Sequence, residues 1–355
     1  MKKIVFVGGG TAGHVMPNLA LIDRLKNEFE CVYMGGDGME KDLCSARGIP
    51  FFQTETVKFR RDKIFKNLSV PFKLNKCVKK AKAILKDISP DLIFSKGGYA
   101  SLPAVLAAKP LGIPLLCHES DFSPGIVTKM SRRRAIKILC AFEPCADRFR
   151  NGEYVGSPIR AEIYAAQKPS VKEAAFKKFG LDKTKPVLVV VGGSSGAAAL
   201  NDLAVSAMPE ILKKFSCVHV TGKGKKTDFS ANGYSQLEFC TDMSALYSVA
   251  DVIVSRAGAN ALAETIALGI PTIAVPLEKA SRGDQIENAE YFRAKNAVAV
   301  LREGVTSPDD ILRAVTDTYS NRIAYKAACA SLAVDGTERI YQIIKDTINT
   351  DKTAD

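Results

Sequence analysis

The sequence predicts an α/β protein of two doubly wound, Rossmann-like domains in tandem. Three observations carry that prediction. Short apolar runs alternate with amphipathic stretches along the chain, which argues for parallel sheets joined by helical crossovers. The opening run Lys2-Lys3-Ile4-Val5-Phe6-Val7 leads into Gly8-Gly9-Gly10-Thr11-Ala12-Gly13-His14, and Pro186-Val187-Leu188-Val189-Val190-Val191 leads into Gly192-Gly193-Ser194-Ser195-Gly196. Asp91-Leu92-Ile93-Phe94-Ser95-Lys96-Gly97-Gly98 is restated as Asp251-Val252-Ile253-Val254-Ser255-Arg256-Ala257-Gly258, each followed by Gly-Ile-Pro, at 112–114 and 269–271. A period this long is not that of a solenoid.

Strands are expected at 2–7, 31–34, 91–95, 113–117, 187–191, 217–221, 251–255 and 271–275. Pro17 reads as the opening of the first helix, which would bury Leu19, Ile22, Leu25 and Phe29 on one face. The helix after the second glycine loop would bury Leu200, Leu203, Ala207 and Ile211. The Lys-rich stretch from about 161 to 185 is the expected joint, dividing a domain of 1–160 from one of 161–355. Helices over roughly 307–348 complete the second domain, with the last free to cross back to the first. Ligands of doubly wound sheets bind beyond the carboxyl ends of the strands. The two domains are therefore expected to face each other, with their glycine loops lining one cleft.

At 355 residues the chain is long enough for two proper cores. The net charge of +12 predicts an anionic partner: nucleic acid, a phosphorylated ligand or an anionic membrane. The absence of Trp and the 8% aromatic content argue against single-stranded nucleic acid, which binds on stacking platforms. The charge is concentrated in 57–82, where Lys58, Arg60, Arg61, Lys63, Lys66, Lys73, Lys76, Lys79, Lys80 and Lys82 face a single acid, Asp62. Ile64, Phe65, Leu68, Val70, Phe72 and Leu74 are interleaved with them. No apolar run reaches the ~18 residues of a membrane helix, and the strand-like N-terminus leaves no room for a signal peptide. The nine dispersed cysteines predict buried thiols in a reducing cytoplasm.

The spacing of Gly8 to Gly13 satisfies G-x-G-x-x-G, the dinucleotide fingerprint. That reading requires an acid at the end of the second strand. Here Cys31-Val32-Tyr33-Met34 ends in a further glycine loop, Gly35-Gly36-Asp37-Gly38, and nothing else resembles a hydride-transfer site. The other reading is a sugar-nucleotide site with a second phosphorylated substrate. Glycines let backbone N–H groups approach an anion, and a helix N-terminus favours negative charge. Arg256, Gly258 and Ala259 open a helix with Glu264 in its second turn. A carboxylate there can hold both hydroxyls of a ribose while the helix N-terminus faces a diphosphate; taken alone, Glu264 reads equally as an exposed helix residue. The polar loop Arg282-Gly283-Asp284-Gln285 suits sugar hydroxyls.

Seven motifs in order then carry a resemblance. They are Gly9-Gly10-Thr11-Ala12-Gly13-His14; Lys96-Gly97-Gly98-Tyr99-Ala100-Ser101; His118-Glu119; Gly156-Ser157-Pro158-Ile159-Arg160; Gly192-Gly193-Ser194-Ser195-Gly196-Ala197; the Arg256–Glu264 helix start; and Asp284-Gln285. With this set, over nearly the whole chain, the sequence resembles the MurG family of glycosyltransferases (family 28 type). The resemblance implies a GT-B fold and inverting transfer of GlcNAc from UDP-GlcNAc to the C4 hydroxyl of MurNAc in undecaprenyl-diphospho-MurNAc-pentapeptide (lipid I). The β-1,4-linked product would be lipid II of peptidoglycan synthesis. It implies donor binding by Thr11, Ala12, Gly13, Asp121, Arg160, Ser194, Ala259, Asn260, Gln285 and Glu264 on the ribose, with the Cys240 backbone on the uracil. It implies acceptor-diphosphate binding by Gly9, Gly10, Gly97, Gly98 and Tyr99. Where the family often has His-Glu-Gln-Asn, this chain has His118-Glu119-Ser120-Asp121. Asp121 cannot donate a hydrogen bond when ionised, so its expected contact is a sugar hydroxyl or backbone donor.

Residue types then suggest roles. His14 is the favoured base on the acceptor hydroxyl and Glu119 the second candidate; His118 reads as structural and His219 as core. No two aspartates are separated by one residue, so no cofactor and no metal are expected for the chemical step. The helix start at Ala259, with Arg160 and Ser194, would stabilise the leaving UDP instead. The expected location is the cytoplasmic face of the bacterial cell membrane, with the anionic leaflet as partner. Ile64, Phe65, Leu68 and Phe72 with Lys63, Lys66 and Lys73 form the expected patch, extended by Arg132, Arg133, Arg134 and Lys137. The plain alternative is a solvated basic helix. Cell-wall synthesis and division proteins are expected as further partners and nucleic acid is not. The rival activities are another GT-B lipid glycosyltransferase and a UDP-GlcNAc 2-epimerase.

Overall fold

The computed structural model describes residues 1–56, 70–192, 197–278 and 283–350, in two units: residues 1–160 with 335–355, and residues 161–334. In the first unit the chain runs β1 (Lys3–Val7), α1 (Ala12–Leu25), β2 (Glu30–Gly35), α2 (Met39–Ser45), β3 (Phe51–Gln53), α3 (Val70–Ile88) and β4 (Leu92–Ser95). It continues through α4 (Leu102–Ala108), β5 (Leu115–Glu119), α5 (Ile126–Ser131), β6 (Lys137–Cys140), α6 (Glu143–Ala146) and β7 (Gly152–Tyr154). The sheet order is β3-β2-β1-β4-β5-β6-β7, every pair parallel. Covered on both faces, its central strands are continuous apolar runs; Ile4 to Val7 and Leu92 to Phe94 are fully buried. The strand order reverses between β1 and β4, where a doubly wound sheet opens its ligand crevice.

The second unit holds α7 (Pro169–Phe179), β8 (Val187–Val191), α8 (Ala198–Lys214), β9 (Ser216–Val220), β10 (Tyr234–Leu237), α9 (Met243–Val249) and β11 (Val252–Ser255). Then come α10 (Ala259–Ala267), β12 (Thr272–Ala274), α11 (Asp284–Arg293), β13 (Val298–Val300), α12 (Pro308–Ser320) and α13 (Arg322–Leu332). Its sheet, β10-β9-β8-β11-β12-β13, is again all parallel and repeats the order of the first. The reversal falls between β8 and β11.

One expectation changes: the first helix starts at Ala12 and carries Pro17 as its sixth residue, where the proline withholds one hydrogen bond of the ladder. The second unit ends at Val334, and the last helix crosses back to the first, the course the sequence left open. The last helix, α14 (Gly336–Thr350), lies in the first unit, where Ile340, Tyr341, Ile343, Ile344 and Ile348 join the cluster of Leu19, Ile22 and Phe29. Arg24 pairs with Glu338 at 2.9 Å, and Tyr341 donates to Glu28 at 2.5 Å. The returning chain is tied on by the Ser157–Asp335 bridge and by Gly336 N–H donating to Ser157 O at 2.9 Å.

Candidate active site

The first unit brings two sequence-distant glycine turns together at its reversal point. β1 runs into Gly8–Thr11 and β4 runs into Lys96–Gly98. Gly97 and Gly98 have φ of +84° and +76°, and a Cβ on Gly98 would stand 2.7 Å from Gly9 O and 3.0 Å from His14 Nδ1. Only glycine allows that backbone and that approach. The Tyr99 ring lies over Gly10, where a Cβ would stand 2.5 Å from the ring. So Gly9, Gly10, Gly97, Gly98, Tyr99 and His14 share one place. Thr11 precedes α1 as its N-cap residue, and Ala12 and Gly13 form the first turn. Thr11 Oγ1 and half-buried His14 Nδ1 are hydrogen-bonded at 3.0 Å.

Two buried residues to which the sequence assigned no role shape this place. Glu40, only 2% exposed at the start of α2, accepts from Gly36 N–H at 3.1 Å and Gly10 N–H at 3.4 Å. It joins two glycine loops. Lys96, also 2% exposed, reaches His118 Nδ1 at 2.7 Å and the Ser120 hydroxyl. Burial pushes its ammonium down to about 8, against the opposing pull of Glu119 and Asp121. Burial and the Lys96 charge hold His118 well below the usual imidazole range. Neutral His118 accepts from Lys96 on Nδ1, and its Nε2 lies 2.9 Å from Gly156 O. The structural role expected of His118 is what the geometry gives.

The carboxylate of Glu119, the second candidate base, organises the following loop. Oε1 accepts from Asp121 N–H at 3.1 Å; Oε2 accepts from Gly125 N–H at 2.8 Å and the Thr128 hydroxyl at 2.5 Å. These bonds fix residues 120–128 and the entry to α5. Asp121 stands in that loop, and Arg160 is the last residue of the first unit's main segment.

In the second unit the corresponding position holds β11, Arg256 and α10. Gly258 caps α10 in extended geometry with no side-chain cap, so Ala259 and Asn260 open its first turn. Glu264 accepts from the Tyr247 hydroxyl at 3.0 Å, and Tyr247, 5% exposed on α9, was not anticipated. Its only sequence signal is an apolar helix, which reads as core. Arg256 donates to Val275 O at 3.1 Å and pairs with Glu303. Gln285 Oε1 accepts from Leu277 N–H at 3.0 Å. Cys240 follows the exposed Phe239; burial pushes its thiol pKa up, and the thiol donates to Asp242 O at 3.2 Å. His219 is fully buried between Tyr234 and Asn201, at 2.8 and 3.1 Å, and burial lowers it to about 4. It is a core residue, as expected.

Ser194 lies outside the described residues, as do Ile64, Phe65, Leu68, Lys63 and Lys66 of the expected patch. Phe72 and Lys73 lie on α3, which buries Val70, Cys77, Ala81, Leu85 and Ile88 and leaves Phe72 82% exposed. No helix among the described residues is long and apolar enough to cross a membrane.

Comparison with known proteins agrees along the chain. The glycosyltransferase family 28 N-terminal domain matches residues 4–140, and the family's C-terminal domain matches residues 187–346. A protein of Lachnospira eligens is 42% identical over 98% of this chain and 99% of its own length. It is named UDP-N-acetylglucosamine--N-acetylmuramyl-(pentapeptide) pyrophosphoryl-undecaprenol N-acetylglucosamine transferase. A Clostridium botulinum protein of the same name is 36% identical over 97% of this chain and 99% of its own. The crystal structure of Acinetobacter baumannii MurG is similar at a TM-score of 0.76 and 25% identity, over 98% of this chain and all of that one.

Proposed function

The chain belongs to glycosyltransferase family 28, and from that premise we propose that it transfers N-acetylglucosamine from UDP-N-acetylglucosamine to N-acetylmuramoyl-pentapeptide on pyrophosphoryl-undecaprenol. The observation that carries this reading is the full-length identity to relatives bearing that name. The linkage formed is β-1,4, with inversion, and the product is the lipid-linked disaccharide of peptidoglycan.

The second unit takes the donor. The α10 N-terminus offers backbone N–H groups to the diphosphate, and Glu264, held by Tyr247, takes the ribose hydroxyls. The Cys240 backbone reads the uracil, and Asn260 and Gln285 serve the sugar. Negative charge developing on the leaving UDP is met by preorganised dipoles, so the chemical step needs no metal. The first unit takes the acceptor. The Gly9-Gly10 and Gly97-Gly98 turns with Tyr99 bind its diphosphate, and His14 beside them removes the proton from the attacking hydroxyl. Glu119 keeps the 120–128 loop in place.

The acceptor's lipid implies work at a membrane surface. The lysine-rich face of α3 with exposed Phe72 suits the anionic cytoplasmic leaflet. Cell-wall synthesis and division proteins are the natural neighbours there.

Donor protection tests the reading. UDP-GlcNAc is expected to raise the melting temperature, UDP-glucose and NAD to do so far less, and Glu264→Gln to abolish most of the shift. Equal protection by NAD would return the first glycine loop to the dinucleotide reading.

A further inference from the structure

We propose that Lys96 is a positioning residue for the acceptor, its ammonium serving as a buried counter-charge beneath the Gly97-Gly98 turn for the acceptor's diphosphate. The proposal rests on the reading of the first unit as the acceptor side.

Lys96 follows β4 directly, at the reversal point of the first sheet. Among the described residues its direct polar partners are the neutral His118 ring, at 2.7 Å, and the neutral Ser120 hydroxyl. A buried ammonium without a paired carboxylate is costly to keep. The groups that face it leave it so. Glu119 acts on it through space, while its oxygens hold Asp121 N–H, Gly125 N–H and the Thr128 hydroxyl. Asp121 also acts through space. His118 is held neutral by burial and by Lys96 itself, and the Cys140 thiol, its pKa raised by Cys145 and burial, is neutral too. The charge stays partly uncompensated where the parallel strands end.

The chain leads from this charge into the turn that lies against Gly9 O and the His14 ring. The Glu40 carboxylate already sits on the amides of Gly10 and Gly36 and by itself would repel a phosphate. A fixed cation below the turn offsets that repulsion. Out of solvent it is screened far less by salt than a surface lysine. Through His118 and Ser120 the same ammonium also fixes how the turn lies against β5.

The test uses the full-length chain with UDP-GlcNAc and a pyrophosphoryl-lipid acceptor. Lys96→Met keeps the side chain's length and removes its charge. The acceptor KM is expected to rise by about tenfold, with donor affinity essentially unchanged. In the unaltered protein, kcat/KM for the acceptor is expected to fall as pH rises through about 8, the direction in which Lys96 loses its proton. Lys96→Met should lack that limb, a difference that a merely structural role would not produce. An unchanged acceptor KM in folded Lys96→Met overturns the proposal. If the variant does not fold, the unaltered protein decides: an acceptor kcat/KM that stays flat from about pH 7 to about 9.5 overturns it equally. Gly98→Ala separates the two failures, since its Cβ would meet Gly9 O at 2.7 Å. If Gly98→Ala also leaves the acceptor KM unchanged, the acceptor-side reading itself is wrong.

Discussion

Of the three histidines, His118 and His219 are buried in structural networks, and His14 alone stands half-buried between the glycine turns. A positioned base contributes about 10²–10⁴-fold to proton-transfer chemistry. His14→Ala is therefore expected to lower kcat by a factor in that range and to leave UDP-GlcNAc affinity nearly intact. Loss of donor binding with preserved turnover per bound donor would remove His14 from that role. Tyr247 allows a second prediction. A hydrogen bond to a charged group contributes about 1.5–3 kcal/mol, so Tyr247→Phe should raise the donor Kd roughly tenfold or more with little effect on kcat. An unchanged Kd would mean that Glu264 keeps its orientation without the phenol. The sequence made His14 and Glu264 visible because each follows a glycine turn after an apolar strand. It hid Lys96, Glu40 and Tyr247, whose importance is burial beside particular partners. It also hid the loop-holding role of Glu119, because three backbone and hydroxyl donors from residues 121–128 leave no mark in local composition.

At the scale of elements, the central strands were readable and the edges were not. β1, β4, β8 and β11 are mostly Val, Ile, Leu and Phe, buried along nearly their whole length. β3, β7 and β13 are three residues long, and β10 is the mixed Tyr-Ser-Gln-Leu; edges this short or mixed carry no pattern long enough to see. One internal echo appears only in the structure. Asn18 on α1 donates to Tyr33 on β2 at 3.2 Å, and Asn201 on α8 meets His219 on β9 at 3.1 Å, so each glycine-loop helix is pinned to its second strand by a buried amide. The α3 surface belongs to this scale too. Its lysines and Phe72 are expected to bind vesicles containing anionic lipid, more weakly as salt rises, with about 1 kcal/mol per cation near the surface. Equal, salt-insensitive binding to neutral vesicles in a sedimentation assay would leave α3 as a solvated basic face.

At the scale of the molecule, the two sheets share one strand order, and the repeated motifs Asp91–Gly98 and Asp251–Gly258 fall at equivalent places in them. That duplication was legible because like loops follow like strands. The ownership of α14 was left open, since an amphipathic helix shows that it packs without showing against what; here its isoleucines complete the first unit's core. On the proposed reading the two units take different substrates, which the chain joins by sugar transfer. The direct measurement is incubation of the full-length chain with radiolabelled UDP-GlcNAc and the undecaprenyl-pyrophosphoryl-MurNAc-pentapeptide acceptor, with and without EDTA. The predicted result is one labelled GlcNAc per acceptor lipid with release of UDP, undiminished by EDTA. Label recovered only as an epimerised nucleotide sugar, or none on the lipid, would contradict the claim.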